Sequence, residues 1–132
     1  IVGFPGETAE EFRAGYEFCR EMGFARIHVF PYSPRPGTAA AGMPGRLPAT
    51  EMAKRRRMML DLAEDASHRF RAGFCGVVRP VLWEKNSGGG TSGLTDNYIR
   101  AYAGQGSVIS GTISPVRLES QYRDGMWVER VD

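Results

Sequence analysis

The first part of the chain alternates short apolar runs with an amphipathic segment, a pattern that predicts a β-loop-α-β unit. Residues 1–4 and 25–30 are apolar runs, and each ends in a turn rich in proline and glycine. Between them, apolar residues recur at helical spacing, Thr8 is placed to cap a helix, and Gly23 is placed to end it. Ligands in α/β folds bind beyond the carboxyl ends of strands, so the two strand ends form the first candidate site.

A second amphipathic pattern predicts a long helix. Residues 31–48 hold five prolines and form a predicted loop, and loops of this length are often functional. Pro48 then opens a helix that runs to about Ala72, and Gly73 follows as a stop signal. One face of this helix is apolar, which predicts that it packs on a core. The residues of that face are Met52, Met59, Leu62, Ala66 and Phe70.

After Gly73 the pattern changes to short β-branched or aromatic segments divided by turns. The predicted strands are residues 77–84, 95–103, 108–115 and 126–131. Residues 87–93 are rich in glycine and serine and predict a flexible hairpin loop. Short strands at this density predict a small antiparallel barrel of the OB type. The fold class is therefore α/β followed by all-β, with domains at residues 1–72 and 73–132.

Composition and charge limit the possible functions. The 132 residues are 42% hydrophobic and 24% charged, as in an ordinary soluble protein, and no apolar run approaches the roughly 20 residues that span a bilayer. The formal charge is only +2, which neither establishes nor excludes RNA binding. Cys19 and Cys75 have no cysteine or histidine at ligand spacing, and free thiols fit a cytoplasmic protein. The chain begins with Ile1 inside a predicted strand, so we expect it to be part of a longer protein.

The first strand end allows two interpretations. Its candidate residues are Gly3, Pro5, Gly6 and Glu7. Glycines there permit a close approach of the backbone to a ligand, but they are equally expected in a tight turn between a strand and a helix.

The second strand end is similarly open. Phe30 and Tyr32 flank a proline and are suited to hold a flat ligand such as adenine, or they belong to a structural turn. If Ile27 and Val29 face one way along this strand, His28 and Phe30 face the other. A single histidine on a strand is more often a hydrogen-bonded structural group than a catalyst.

Two further groups of residues have basic or aromatic character. The basic run at residues 54–57, with Lys54 and Arg55, predicts either a solvated helix face or phosphate contacts. Along residues 95–103, alternation places Tyr98, Arg100 and Tyr102 on one side of a predicted strand. Aromatic rings beside a guanidinium are a known means of holding unpaired bases, although ordinary barrel surface has the same composition.

Three strings resemble a known family. IVGFPGET at residues 1–8 and HVFPYSPRPGT at residues 28–38 resemble the last part of the radical-SAM methylthiotransferases. The remainder resembles the RNA-binding TRAM domain of the same enzymes. GLTDNYIR at residues 93–100 looks like the branch that adds a methylthio group to threonylcarbamoyladenosine beside the anticodon of tRNA.

The resemblance implies a fold and a set of sites. Residues 1–72 would be the C-terminal part of a partial (β/α) radical-SAM barrel with a long closing helix, and residues 73–132 a TRAM-like barrel. The expected S-adenosylmethionine residues are Gly3, Pro5, Gly6, Glu7, Val29, Phe30 and Tyr32. The expected contacts to the tRNA anticodon stem-loop are Lys54, Arg55, Thr95, Asn97, Tyr98 and Arg100.

The chain also departs from the family pattern. These enzymes bind two 4Fe-4S clusters through spaced cysteines, and this sequence contains none of those motifs. The resemblance therefore implies that the cluster ligands belong to an N-terminal half of the same protein, and that this part alone is inactive. The alternatives are a non-catalytic RNA-binding module, a purely structural barrel, or a sister activity on isopentenyladenosine in tRNA or on ribosomal protein S12.

Overall fold

In a computed structural model, the chain is described at residues 1–84, 91–104, 106 and 109–131. It divides into two compact units, Ile1–Ser67 and His68–Asp132. This division falls inside the long helix, a few residues before the domain boundary predicted at residue 73.

Helix α1 spans Ala9–Met22 and has the predicted ends. The Thr8 hydroxyl accepts a hydrogen bond from Glu11 N at 3.1 Å, and the Glu11 carboxylate accepts one from Thr8 N at 2.8 Å. This reciprocal capping box satisfies two backbone donors that a helix start leaves unpaired. Gly23 ends the helix in the left-handed conformation, with φ of 61°.

Helix α2 spans Ala49–Ala72, as the apolar stripe predicts, and a short 3₁₀ helix at Ala39–Gly42 lies in the proline-rich loop before it. In the first unit, the core consists of Val2, Phe12, Met59 and Leu62. Partly buried residues pack against this core, namely Tyr16, Cys19, Ile27, Val29 and Met52. Ile27 and Val29 therefore face the core, while His28 and Phe30 are exposed, in agreement with the predicted alternation.

The two predicted strands of the first unit are reduced to one parallel bridge. Val2 pairs with Pro31, and residues 25–30 have an extended course without a ladder of their own. Two backbone hydrogen bonds join the segments at this bridge. The parallel direction agrees with a β-loop-α-β unit, but the described residues of the first unit contain no sheet.

The second unit is a closed five-stranded barrel. Its strands are β1 (Val78–Glu84), β2 (Thr91–Thr95), β3 (Arg100–Ala103), β4 (Ile113–Tyr122) and β5 (Gly125–Arg130). Their order around the barrel is β1-β2-β3-β5-β4, with β4 paired back to β1. All neighbours are antiparallel except β3 and β5, which run parallel. The prediction of a small β-barrel is confirmed.

Alternating inward residues fill the barrel, and Phe70 and Phe74 pack against this second core. Its buried members are Val81, Trp83, Ile99, Ala101, Ala103, Val116, Leu118, Met126 and Val128. Within the described residues, neither helix combines the length and apolarity of a membrane span.

Two predicted strands differ from the observed ones. The predicted strand at residues 95–103 contains a turn that separates β2 from β3. Residues 87–90 of the predicted glycine-rich loop lie outside the described part of the chain. Residues 91–93 of that loop belong to β2. Gly93 suits this strand because a Cβ there would collide with the Leu82 carbonyl and lie 2.6 Å from Val81 Cγ1. The predicted strand at residues 108–115 is displaced, because residues 109–112 contain a turn and β4 begins at Ile113. Strand β4 continues past Pro115, whose partner on β1 is Pro80.

Candidate functional site

The parallel bridge brings the two predicted strand ends together. Val2 N donates to Phe30 O at 2.9 Å, and Tyr32 N donates to Val2 O at 2.8 Å. Beyond the bridge, the rings of Phe4 and Tyr32 meet edge to face, with centroids 5.4 Å apart. The sequence-predicted residues of both loops therefore lie at the same edge of the first unit.

The first loop has the backbone geometry that its glycines predict. Gly3 and Gly6 have φ of 74° and 86°, a region that other residues rarely adopt. Gly6 N donates to Gly45 O at 2.9 Å, which ties this loop to the proline-rich loop. No atom lies within 4 Å of the position that a Cβ on Gly6 would occupy, so its backbone is open to a ligand. Pro5 is buried between the two glycines.

Glu7 and Arg55 form a buried ion pair behind this loop. Glu7 Oε2 accepts hydrogen bonds from Gly3 N at 2.9 Å and from Arg55 Nη1 at 2.7 Å. The same guanidinium donates to the Thr8 and Glu7 carbonyls and to the Glu51 carboxylate, and it lies over the Phe12 ring. Both partners are thus occupied within the first unit.

This geometry corrects one predicted RNA contact. Arg55 is only 5% exposed, so its guanidinium is not available to a phosphate. Burial lowers the pKa of Arg55, but hydrogen bonds to Glu51 and Glu7 outweigh that effect and leave the pKa raised, so the group stays charged. Glu7 supports the turn at Gly3, because its carboxylate accepts hydrogen bonds from Gly3 N and Arg55. Lys54 is exposed and stays a predicted contact.

The second loop presents aromatic groups with unused polar capacity. Phe30 is 61% exposed, whereas Val29 packs on the core and supports the loop from behind. The Tyr32 hydroxyl is buried and has no hydrogen-bond partner among the described residues. A buried hydroxyl without a partner is costly, and a ligand that bonds to it would remove the cost. This edge suits a ligand with a flat ring and a polar rim.

The cysteines do not form a metal site. In the described part of the chain, no group of three or more His, Cys, Asp or Glu residues is arranged to hold a metal ion. Cys19 is half-buried in the first unit. Cys75 is exposed in the second, and its thiol donates to Glu119 O at 2.8 Å.

In the barrel, the predicted residues 95–98 form the turn between β2 and β3. Thr95 is buried, and its hydroxyl donates to Asn97 Oδ1 at 2.6 Å and accepts from Ile99 N at 2.8 Å. Thr95 therefore shapes the turn and is not exposed to a partner, which corrects its assignment as an RNA contact. Tyr98 has φ of 63° and is 73% exposed, so it projects from the turn.

Arg100 and Tyr102 share the outer face of β3, as alternation predicts, while Ala101 and Ala103 face the core. Tyr98 precedes the strand, so its predicted place in that row is wrong. Arg100 Nη1 donates to Glu84 Oε2 at 3.0 Å and to Ser92 Oγ at 3.2 Å.

The structure adds an aromatic cluster, consisting of Tyr102, Tyr122, Trp127 and Arg123, that the sequence patterns did not indicate. The Tyr102 and Tyr122 rings are 5.3 Å apart, and those of Tyr122 and Trp127 are 5.6 Å apart, each pair edge to face. The Arg123 guanidinium lies 5.7 Å and 5.0 Å from the centroids of the two tyrosines. The turn Tyr-Arg-Asp-Gly between two strands was the available signal for this cluster.

Asp124 supports the cluster from the same turn. The Tyr102 hydroxyl donates a short hydrogen bond to Asp124 Oδ1. Burial raises the pKa of Tyr102, and the bond to Asp124 raises it further, so the phenol stays neutral beyond its usual range. The same bond, more than any other interaction, lowers the pKa of Asp124. The carboxylate and the guanidinium of the turn thus lie beside the neutral phenol of Tyr102 on β3.

Comparison with curated proteins finds relatives that align with nearly the whole chain. No family model matches the chain. It is 35% identical over 132 residues, its entire length, to threonylcarbamoyladenosine tRNA methylthiotransferase MtaB of Thermotoga maritima, and it covers 30% of that protein.

Two other relatives carry sister activities. The chain is 37% identical over 99% of its length to tRNA-2-methylthio-N(6)-dimethylallyladenosine synthase of Syntrophotalea carbinolica, covering 31% of it. Over 64% of its length it is 45% identical to ribosomal protein uS12 methylthiotransferase RimO of Syntrophobacter fumaroxidans, covering 19% of it. The chain therefore spans less than a third of the length of these curated relatives.

Proposed function

Because the chain belongs to the radical-SAM methylthiotransferase family, we propose that it is the C-terminal part of an enzyme that methylthiolates threonylcarbamoyladenosine beside the anticodon of tRNA. The observation that carries this proposal is the alignment of the whole chain with a threonylcarbamoyladenosine tRNA methylthiotransferase. The string GLTDNYIR at residues 93–100 supports the same branch.

The dimethylallyladenosine activity is the second candidate, since its enzyme aligns over 99% of the chain at 37% identity. Overall identity does not separate the two substrates. The part of the relatives that this chain does not cover, more than two thirds of their length, is where we expect the remaining determinants of the reaction.

In the proposed enzyme, the first unit is the end of a partial radical-SAM barrel. The parallel bridge between Val2 and Pro31, with α1 between the two segments, is the connection that such a barrel repeats. Ile1 and Phe30 are exposed apolar residues on these segments, as expected where further strands would add. The two units would then be the barrel end and a TRAM-like domain.

The strand-end loops fit S-adenosylmethionine. Phe30 offers an apolar ring to the adenine, the Tyr32 hydroxyl offers a hydrogen bond, and the open backbone at Gly6 permits close approach. S-adenosylmethionine and two 4Fe-4S clusters, when bound, supply the radical and sulfur chemistry. We place the cluster ligands in the N-terminal half of the protein, and the residues of this chain bind and orient the cofactor.

A substitution of Tyr32 tests the cofactor site. Tyr32→Phe removes only the buried hydroxyl, so we expect the full-length enzyme to bind S-adenosylmethionine about five- to tenfold more weakly, the size of one hydrogen bond. Equilibrium dialysis would measure the affinity, with Tyr16→Phe as the control because its ring belongs to the first core. Unchanged affinity in Tyr32→Phe would remove this hydroxyl from the site.

The barrel is proposed to hold the tRNA anticodon stem-loop in the cytoplasm. In the barrel, Tyr98 is the exposed candidate, and Asn97 and Arg100 are half-buried. Lys54 is an exposed candidate in the first unit. Equal numbers of acidic and basic residues in residues 73–132 give this part no net charge, so local contacts must supply the affinity.

Mass spectrometry of tRNA nucleosides tests the reaction. In a strain that lacks the gene, we expect the methylthio form of threonylcarbamoyladenosine to disappear and the full-length gene to restore it. A gene that encodes this chain alone should not restore it. Loss of only the methylthio form of dimethylallyladenosine would transfer the enzyme to the second candidate, and no change in either nucleoside would exclude both.

A further inference from the structure

The aromatic cluster lies on the outer surface of the barrel. Along β5, Met126 and Val128 face the core, so alternation turns Trp127 outward, and it is 41% exposed. The other tryptophan of the chain, Trp83, is 1% exposed and fills the core. The barrel thus has one tryptophan for packing and a second that its interior does not require.

The rings of the cluster come from three strands that are adjacent in the barrel. Tyr102 pairs with Trp127 across the parallel β3–β5 ladder, and Tyr122 ends β4 next to them. Grouped aromatic rings at a surface, in contact with one another and partly open to water, are typical of a binding site rather than of scattered surface residues.

Arg123 gives the cluster a positive charge. Its backbone has φ of 52°, a conformation that is unfavourable for arginine, yet the turn holds this residue with its guanidinium against both tyrosines. Among the described residues, Arg123 has no carboxylate partner within ion-pair distance. Its N–H donors are therefore available to an anion, in contrast to those of Arg55.

We propose that the aromatic cluster is a stacking site for an unpaired RNA base, with Arg123 contacting a neighbouring phosphate. This inference rests on the proposed tRNA substrate and assigns it a contact site. Aromatic rings next to a guanidinium match the two faces of a nucleotide, a flat base and an anionic phosphate. Barrels with this strand number bind oligonucleotides through the β2–β3 face and the β4–β5 loop, which here carry Tyr102 and Arg123.

The test uses the 132-residue chain and a fluorescently labelled anticodon stem-loop RNA, with a blunt RNA duplex of the same length as the paired reference. Fluorescence anisotropy gives the affinity, and quenching of tryptophan emission reports contact at Trp127, since Trp83 is buried. We expect the stem-loop to bind more tightly than the duplex and to quench emission.

Three variants separate stacking from charge. Trp127→Leu should weaken stem-loop binding about five- to a hundredfold and abolish quenching, whereas Trp127→Phe should retain most of the affinity. Arg123→Asn keeps a residue that tolerates the left-handed conformation, and it should lower the dependence of log affinity on log salt by about 0.7. Arg130→Asn removes the same charge from the exposed end of β5 and should leave binding unchanged.

Each outcome decides something. Salt-dependent RNA binding with unchanged affinity in both Trp127→Leu and Arg123→Asn would overturn the stacking site and leave the proposed function intact. No RNA binding by the chain would overturn the site and the barrel's role in holding tRNA, whereas the nucleoside analysis tests the reaction independently. Circular dichroism spectra and Trp83 emission identify any variant that fails to fold, and the exposed Arg123→Asn then decides the question alone.

Discussion

Two arginines, one in each unit, show opposite uses of the same side chain. Arg55 of the first unit is buried and donates to two carboxylates and two carbonyls. Arg123 of the barrel lies on two tyrosine rings with its N–H groups free of carboxylates among the described residues. The sequence pattern left Arg55 open between a solvated helix face and an RNA phosphate contact, because it belongs to a dense basic run.

In both units, the acceptors within reach of an arginine, and not the density of basic residues around it, decide what its side chain does. Glu7 and Glu51 approach Arg55 from the loop before α1 and from one helical turn away in α2. At Arg123 the nearest carboxylate in sequence, Asp124, accepts from Tyr102 instead. An arginine whose N–H groups donate to carboxylates and carbonyls of its own unit stabilises the fold. An arginine without such acceptors can donate to a ligand.

The largest expected effect follows from removing the buried arginine. Arg55→Ala leaves Glu7 without its cation in a largely buried position, and loss of one partner of such a pair costs about 3–5 kcal/mol. The turn at Gly3 should loosen as well, because the same carboxylate holds Gly3 N. Urea denaturation followed by circular dichroism would give the free energy of unfolding.

Arg57→Ala is the matched control in the same helix. The Arg57 side chain is 75% exposed and pairs with Asp61 at 2.9 Å, and such surface pairs contribute less than about 1 kcal/mol. Equal losses of stability in Arg55→Ala and Arg57→Ala would contradict the contrast drawn between buried and exposed arginines.

The sequence predicted the helices well because their signals are local. The capping box at Thr8, the stop at Gly23 and the apolar stripe of α2 each depend on residues within a few positions of one another. The bounds of β1 and β5 follow from alternation for the same reason. The positions of the two strand-end loops also follow directly from the two apolar runs, whereas their role as a cofactor site stays a prediction.

The remaining features depend on contacts that are distant in sequence. Gly93 looked like part of a flexible loop, because its close approach to Leu82 exists only after β1 and β2 pair. The aromatic cluster was missed because Tyr102 and Trp127 meet only through the parallel β3–β5 pairing. Burial of Arg55 was missed because its partner Glu7 is 48 residues away.

A pair of glycine substitutions extends the comparison between the two units. Gly93→Ala would place a Cβ against the Leu82 carbonyl and Val81 inside a closed barrel, so we expect a loss of about 2 kcal/mol or more. Gly15 lies within α1 with no atom within 4 Å of a Cβ, so Gly15→Ala should stabilise by about 0.5–1 kcal/mol.

Thermal melting would compare both glycine variants with the wild-type chain. The opposite signs are the result that matters, since both substitutions add the same methyl group. A neutral Gly93→Ala would mean that the barrel relaxes at β2, and the close approach of β1 and β2 would then not explain the glycine.

The smallest expected effect concerns the carboxylate of Asp124, which accepts a hydrogen bond from the Tyr102 phenol. Because burial and the bond to Asp124 raise the pKa of Tyr102, its contribution to stability is complete below the usual tyrosine value of 10.0 and disappears as pH rises through the raised pKa. Asp124→Asn removes the negative charge, so Tyr102 should ionise at lower pH than in the wild-type chain. Tyrosinate absorbance, with Tyr102→Phe subtracted to isolate this residue, measures the midpoint. An unchanged midpoint in Asp124→Asn would leave burial as the cause of the raised pKa of Tyr102 and would contradict a contribution from the hydrogen bond to Asp124.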